Sequence, residues 1–424
     1  MRHITIYECF DALQITKYPT HKSITQEEAD ELNTYIIKEK LKQTNISWSR
    51  DSITFINYVG FIKLSTVSIE ILPKIDINSN DYKGSRKSLI NMLNKSGIIN
   101  FNYSNIAMLN IYNMNLNEIL SLIFAKTLQR ELVKGPYLEY INIEENTKAL
   151  KGSMVVKDHI RNIANGISDV FCRFEEFSIN NRLNQIFNTC ISKTIMNVRN
   201  SDTIKILNHL KVIFSDVSDI DISNSNVLEY KFTRLNSRFE PSLLLAKMIL
   251  SGYSSIGNKG EDKSFAILFE MNDVYEKYIT NLLMLNLDDC IIHSQHNNHK
   301  LLRNEKTNKS IFALKPDIVV EVDGKEKIII DTKWKNIDES INRHGVKRED
   351  FYQMYAYLTK YEDSNVAILL YPNNNKTKKF NHEFLESWYL DNDKSKKIRV
   401  YSVNLSDEEI TLKDLKRIIK NNLI

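Results

Sequence analysis

Residues Lys315–Lys335 read KPDIVVEVDGKEKIIIDTKWK. Two Val- and Ile-rich runs flank Asp323-Gly324, the signature of a β-hairpin, and each run carries an aspartate, Asp317 or Asp331, where a buried strand would carry an apolar residue. The register decides whether the two carboxylates meet. A two-residue turn sets Val322 against Lys325 and Glu321 against Glu326, which pairs like charges and leaves Asp317 against Ile330. A three-residue connection over Asp323, Gly324 and Lys325, with Gly324 in the left-handed region, moves the pairing by one. Ile318 then faces Ile330, Val320 faces Ile328 and Glu321 faces Lys327, a better cross-strand set. This second register is the expectation, and it puts Asp317 opposite Asp331 with Lys333 two residues along on the same face.

Facing carboxylates repel, so one of them is driven to hold a proton unless a cation sits between them. Magnesium suits the position, because it takes hard oxygen ligands and keeps several waters. Lys333 would stand beside the ion, where its ammonium can orient a hydroxide or neutralise charge growing on a phosphorane-like transition state. The arrangement predicts a metal-dependent phosphodiesterase. Pattern alone is equally compatible with Asp331, Lys333 and Lys335 forming the wet face of an exposed strand.

Outward from the hairpin, the chain has 424 residues, enough for two or three domains with cores of their own. Its 42% hydrophobic and 26% charged content is ordinary for a soluble protein. No apolar run reaches membrane-spanning length, and Glu8 and Asp11 interrupt what would be a signal sequence. A cytoplasmic protein without a membrane partner is expected. Cys9, Cys172, Cys190 and Cys290 are far apart, which points to reduced, mostly buried thiols. The 57 basic and 53 acidic residues leave a net charge of +4, too little to argue nucleic-acid binding alone. Lys376, Lys378 and Lys379, then Lys394, Lys396, Lys397 and Arg399, can meet phosphates only if they share a face.

With 11 Gly and 6 Pro the chain has little punctuation. An N-terminal strand, a helix around Gln26–Lys42 and strands over Ser52–Ile75 are expected, with Val67, Ile69 and Ile71 forming the buried side of a half-buried strand. The pattern turns helical from about Leu109 to Arg130 and again through a mostly helical region from Phe171 to Leu250. The polar stretch Ser251–Lys263 is the boundary candidate. Beyond it the order is helix, hairpin, helix, strand VAILLYP, helix, strand IRVYSVNL, helix, an α/β order with a mixed sheet. Two weaker signals compete for attention. Gly257–Ser264, GNKGEDKS, nearly fits a phosphate-binding loop, but Asp262 replaces the required glycine, so no nucleotide is expected on this chain. His293, His296 and His299 would ligate zinc from a helix, but their Asn-rich setting argues for a solvated loop.

Pro316-Asp317 followed by Asp331-Thr332-Lys333 resembles the PD-(D/E)XK signature of restriction-endonuclease-like nucleases. Such enzymes often carry an acidic residue on an upstream helix, which here corresponds to Glu276 in MNDVYEKYI, set off the apolar stripe of Met271, Tyr278, Leu282 and Leu285. Gln353 and Tyr357, one helical turn apart, resemble the QxxxY element of RecB-like nucleases. Six blocks in order, Tyr58–Ile75, Leu150–Ser153, Phe174–Ile186, Arg234–Ala246, Phe269–Ile279 and Asp350–Leu358 with LLYP, are similar to the McrC family, the nuclease subunits of McrBC modification-dependent restriction systems.

The resemblance implies an α/β (α+β) protein: an N-terminal partner-docking α+β domain over 1–160, a mainly helical connecting region over 161–260, and a restriction-endonuclease-like core over 261–424 with a mixed β-sheet flanked by helices. It further implies a magnesium-dependent endonuclease acting on double-stranded, methylcytosine-containing DNA when driven by a McrB-like AAA+ GTPase or ATPase ring. Asp317, Asp331 and the Thr332 carbonyl are then the expected magnesium ligands, Lys333 serves the nucleophilic water, and Glu276 and Gln353 support it. A stand-alone RecB-like repair nuclease and a non-catalytic scaffold for the NTPase are the alternatives.

Overall fold

The computed structural model describes the chain apart from residue 39, residues 76–81, 100–112, 222–228, 255–264, 338–341 and 374–383, and residue 424. Gly257–Ser264, Lys376, Lys378 and Lys379 lie outside the described residues, as does most of Ser251–Lys263. The chain divides into two compact units, Met1–Leu116 with Ala266–Ile424, and Asn117–Phe265. A boundary at 160/161 would run through the Val156–Ala164 helix.

In the first unit, a six-stranded mixed sheet has the order Ile291–Ser294, Ile318–Val322, Lys325–Thr332, Val366–Pro372, Asp393–Val403, Glu386–Leu390. The three central strands from Lys325–Thr332 to Asp393–Val403 run parallel, and the outer pairs are antiparallel. Helix Arg348–Lys360 links Lys325–Thr332 to Val366–Pro372 and packs Met354, Tyr357 and Leu358 against Val319, Ile329, Ala367 and Leu369. Helices Met271–Asn286 and Glu408–Leu423 also pack against Lys325–Thr332. Burial on both faces is why the strand reads IIID without alternation. Where a helix was expected between the last two strands, the described residues Glu386–Leu390 form an edge strand instead. The apolar stripe on Met271–Asn286 holds for Met271, Tyr278 and Leu282, whereas Leu285 is exposed.

The N-terminal part of this unit has its own sheet, with Arg2–Tyr7 parallel to Val67–Leu72, which pairs in turn with Tyr58–Lys63 and so leads to Phe265–Glu270. The Tyr58–Lys63 strand approaches so closely that a Cβ on Gly60 would lie 2.0 Å from the Ile267 carbonyl oxygen. Val67–Leu72 is buried on both faces rather than one. Glu70 escapes the alternation rule because Arg86 pairs with it through Nε at 2.9 Å and Nη2 at 2.6 Å, and the Leu116 amide donates at 2.8 Å.

The second unit contains helices Arg182–Ile195, Ser201–Ile213 and Glu240–Ser254 and a three-stranded sheet of Glu139–Thr147, Val170–Ser178 and Ser153–Met154. Val170–Ser178 corrects the helical reading at the start of the middle region. Leu183, Ile186, Cys190 and Ile191 are buried as their helical spacing predicts. Cys172 and Cys190 are buried, but Cys9 is exposed.

Candidate active site

The hairpin solves its register by a route that its sequence did not show. Asp323 and Gly324 both take positive φ, 53° and 73°, giving a two-residue turn with Val322 against Lys325 and Glu321 against Glu326. A bulge beyond Glu321 then takes up one residue, and from Val320↔Ile328 to Ile318↔Ile330 the pairing is the one the three-residue connection predicted. The expected three-residue turn and the Glu321–Lys327 pair are therefore corrected, while the register at the far end holds. The like charges at the turn are tolerated because His293 Nε2 lies 2.8 Å from Glu321 and His299 Nε2 lies 2.9 Å from Glu326.

Continued by one residue, the register sets Asp317 across from Asp331. Asp317 Oδ2 accepts from the Thr332 amide and hydroxyl, both at 2.7 Å. Asp331 is 1% exposed, so it belongs to no wet face, and its Oδ2 pairs with Lys333 Nζ. That oxygen has no hydrogen bond of ordinary geometry among the described residues. Lys333 Nζ also donates to Gln353 Oε1 at 3.1 Å, and Gln353 Nε2 donates to the Tyr357 hydroxyl at 2.8 Å, which in turn donates to the Lys315 carbonyl at 3.0 Å. The Gln353 and Tyr357 pair thus ties Lys333 to the start of the motif.

Glu276 is half-buried, and its carboxylate accepts from the Gln295 side chain, whose backbone N–H donates to the Asp317 carbonyl at 2.9 Å. Sequence reading missed two members of the cluster. Asp350, in the first turn of Arg348–Lys360, lies 3.8 Å from Lys333 Nζ and 3.1 Å from Lys335 Nζ. Gln295, at the end of the Ile291–Ser294 strand, is the other. The spacing of Asp350 from Gln353 on one helix was the available signal for the first; Gln295 gave none.

The electrostatics follow from burial. Burial pushes Asp331 up to about 7, the Asp317 charge adds to the rise, and Lys333 opposes it. Burial also raises Asp317, against its hydrogen bonds from Thr332. Glu276 is raised by burial and then by Asp317. Burial works to lower the Lys333 pKa but is outweighed by Asp331, so the pKa rises and the side chain stays an ammonium. A buried and a half-buried carboxylate facing each other, one with an oxygen lacking a normal donor, fit a hard divalent cation. Asp317, Asp331 and the Thr332 carbonyl are the residues that would hold it.

Trp334 fixes the strand just past this cluster. Its Nε1 donates to Glu8 Oε1 at 2.6 Å, and Lys74 Nζ donates to its carbonyl at 3.1 Å. Burial lifts the Glu8 carboxyl to about 7, with Lys74 and Trp334 opposing. Trp334→Phe removes one donor and leaves a buried acceptor short, so the first unit should lose about 1–3 kcal/mol in a denaturant melt. An unchanged melt would show that Glu8 does not anchor the motif.

The basic residues of the C-terminal strand do not form one phosphate-facing set. Lys396 donates to the Leu358 and Tyr361 carbonyls at the end of Arg348–Lys360, and Arg399 stacks on Phe384 at 5.0 Å.

The family model described as "McrBC 5-methylcytosine restriction system component" matches residues 53–372. A chain of the tetradecameric Thermococcus gammatolerans assembly of McrB AAA+ hexamers with bound McrC is similar in fold, with a TM-score of 0.75 at 21% identity, covering 100% of both chains. A chain of the Thermococcus gammatolerans McrBC complex gives a TM-score of 0.50 at 23% identity, covering 67% of this chain and 88% of that one. No curated protein sequence matches.

Proposed function

This chain belongs to the family of McrBC 5-methylcytosine restriction system components, and on that premise we propose that it is the magnesium-dependent endonuclease subunit of such a system. The observation that carries the reading is the convergence of Asp317, Asp331, Lys333 and Gln353 at one end of the sheet. Asp317, Asp331 and the Thr332 carbonyl would hold a magnesium ion, which would supply Lewis acidity at this end of the sheet. Lys333, kept charged by Asp331 and aimed by Gln353, orients the attacking water and offsets charge on the phosphate undergoing attack. Asp350 and Lys335 hold the neighbouring charges in place, and Glu276 stands ready to accept a proton.

The substrate is double-stranded DNA containing methylcytosine, and the partner is a McrB-like AAA+ NTPase ring. No described helix is long and apolar enough to cross a membrane. Partner binding has a candidate surface in the second unit. On Val156–Ala164, Val156, Ile160 and Ile163 are 57%, 59% and 64% exposed along one face, an unpartnered apolar stripe of the kind that marks an interface. Ile160→Asp combined with Ile163→Asp should weaken co-purification of the partner by at least about tenfold, as loss of two buried anchors does. Undiminished partner binding would place the contact elsewhere.

The deciding experiment assays the full chain, with and without its partner, on methylated and unmethylated plasmid with magnesium and each NTP. Cleavage of methylated plasmid only with partner and NTP is the expected result. NTP-independent cutting by the isolated chain would favour the repair-nuclease reading. Stimulated NTP turnover without any cutting would favour the scaffold.

A further inference from the structure

We propose that His296, His299 and Glu326 form a second metal site, one that takes a zinc-type divalent ion at the turn end of the central hairpin. Glu326 lies five residues from Asp331 along its strand, roughly 16 Å at strand spacing, so this site is separate from the carboxylate pair. The ligating atoms of the three side chains all fall within 4.8 Å of one another. His296 Nε2 is 3.3 Å from Glu326 Oε1, and His299 Nε2 is 2.9 Å from Glu326 Oε2. The edge of a tetrahedron around zinc, with ligands at ordinary bond lengths, is about 3.3 Å. Residues 295–299 form a loop, as their composition predicted, but His293 lies on the Ile291–Ser294 strand and His296, 8% exposed, is not solvated.

The hydrogen bonds set the histidines for this task. The Asn298 amide donates to His296 Nε2 at 2.9 Å, which makes that nitrogen a lone-pair acceptor and leaves Nδ1 to donate to the Tyr361 hydroxyl, also at 2.9 Å. A second nitrogen held by an outer partner is how proteins orient a metal-binding imidazole. The Nε2 lone pair then faces a carboxylate oxygen with no proton between them, an arrangement that a cation resolves. Tyr361 is fully buried, and His299 packs on its ring at 4.2 Å between centroids, so the outer wall of the site is rigid. Asn298 is exposed and free to swing aside, and water completes the coordination.

The site would brace the active site without joining it. Gln295, next to His296, turns the chain at φ 49° and contacts both Glu276 and the Asp317 backbone. Metal on His296 and His299 pins that turn to the hairpin and to the end of Arg348–Lys360.

The full chain, stripped by chelator and kept in excess magnesium to fill the carboxylate pair, is titrated with Zn²⁺ against a chromophoric competitor and with Co²⁺. One tight equivalent is expected, with the intense visible bands of four-coordinate cobalt. His299→Gln and Glu326→Gln, both at partly exposed positions, should each weaken it at least about a hundredfold, and Tyr361→Phe about tenfold. His293→Ala should leave it intact. Absence of a zinc equivalent in the wild type, or its survival in both His299→Gln and Glu326→Gln, overturns the proposal.

Discussion

Asp331→Asn and Lys333→Met are each expected to lower magnesium-dependent DNA cleavage by at least about 10³-fold, with melting temperatures no lower than that of the parent. The two side chains form one unit: the Lys333 ammonium is paired with Asp331 Oδ2 and aimed by Gln353. Asparagine at 331 removes half of the cation's charge partner set and the lysine's counter-ion. Methionine at 333 keeps the alkyl stem but loses the charge beside the attacking water. Neither change opens the core, because Ile329, Ile330 and the residues around them keep their packing. Asp331→Asn also removes a like charge from beside Asp317, which offsets the loss of the Lys333 counter-ion. A plasmid-nicking time course with the partner present gives the rate, and a thermal melt gives the stability. Cleavage within tenfold of the parent in either variant would move the active site elsewhere.

The far end of the hairpin was legible because its apolar residues had only one good set of partners. Ile318, Val320, Ile328 and Ile330 could bury together in a single register, and the structure keeps it. The turn end was not legible, because the cost of Glu321 against Glu326 is met from outside the hairpin, by His293 and His299. No local rule foresees such a contribution. Glu70 failed the alternation rule for the same reason, since its partner Arg86 arrives from a helix beyond the strand. Gln353 and Tyr357 were legible through their resemblance to a QxxxY element, and the structure joins them to Lys333 through one hydrogen-bonded chain. Asp350 shares their helix but reads as an ordinary first-turn acid. The link from Glu8 and Lys74 to Trp334 spans most of the chain, and only the folded unit brings those residues together.

Magnesium should raise the melting temperature at pH 8 by several degrees and far less at pH 5. Burial and the facing Asp317 hold the folded-state pKa of Asp331 at about 7, above its ordinary value of 3.8. A raised acid stabilises the fold fully only below its unfolded pKa, and that contribution is lost as the pH rises from about 4 through the folded value. The metal-free protein therefore carries its largest carboxylate penalty at neutral and alkaline pH. Magnesium relieves that penalty there, whereas at pH 5 protons occupy the same oxygens and compete with it. At a hundredfold excess over its dissociation constant, the ion adds about 2.7 kcal/mol, and each kcal/mol shifts the midpoint by about 2 °C in a unit of this size. Asp317→Asn keeps an oxygen to accept from the Thr332 amide and hydroxyl but removes the charge that repels Asp331. That variant should melt higher than the parent without metal at pH 8 and gain much less from magnesium. An equal magnesium shift in the two proteins, or a larger shift at pH 5 than at pH 8, would show that the ion does not sit between these carboxylates.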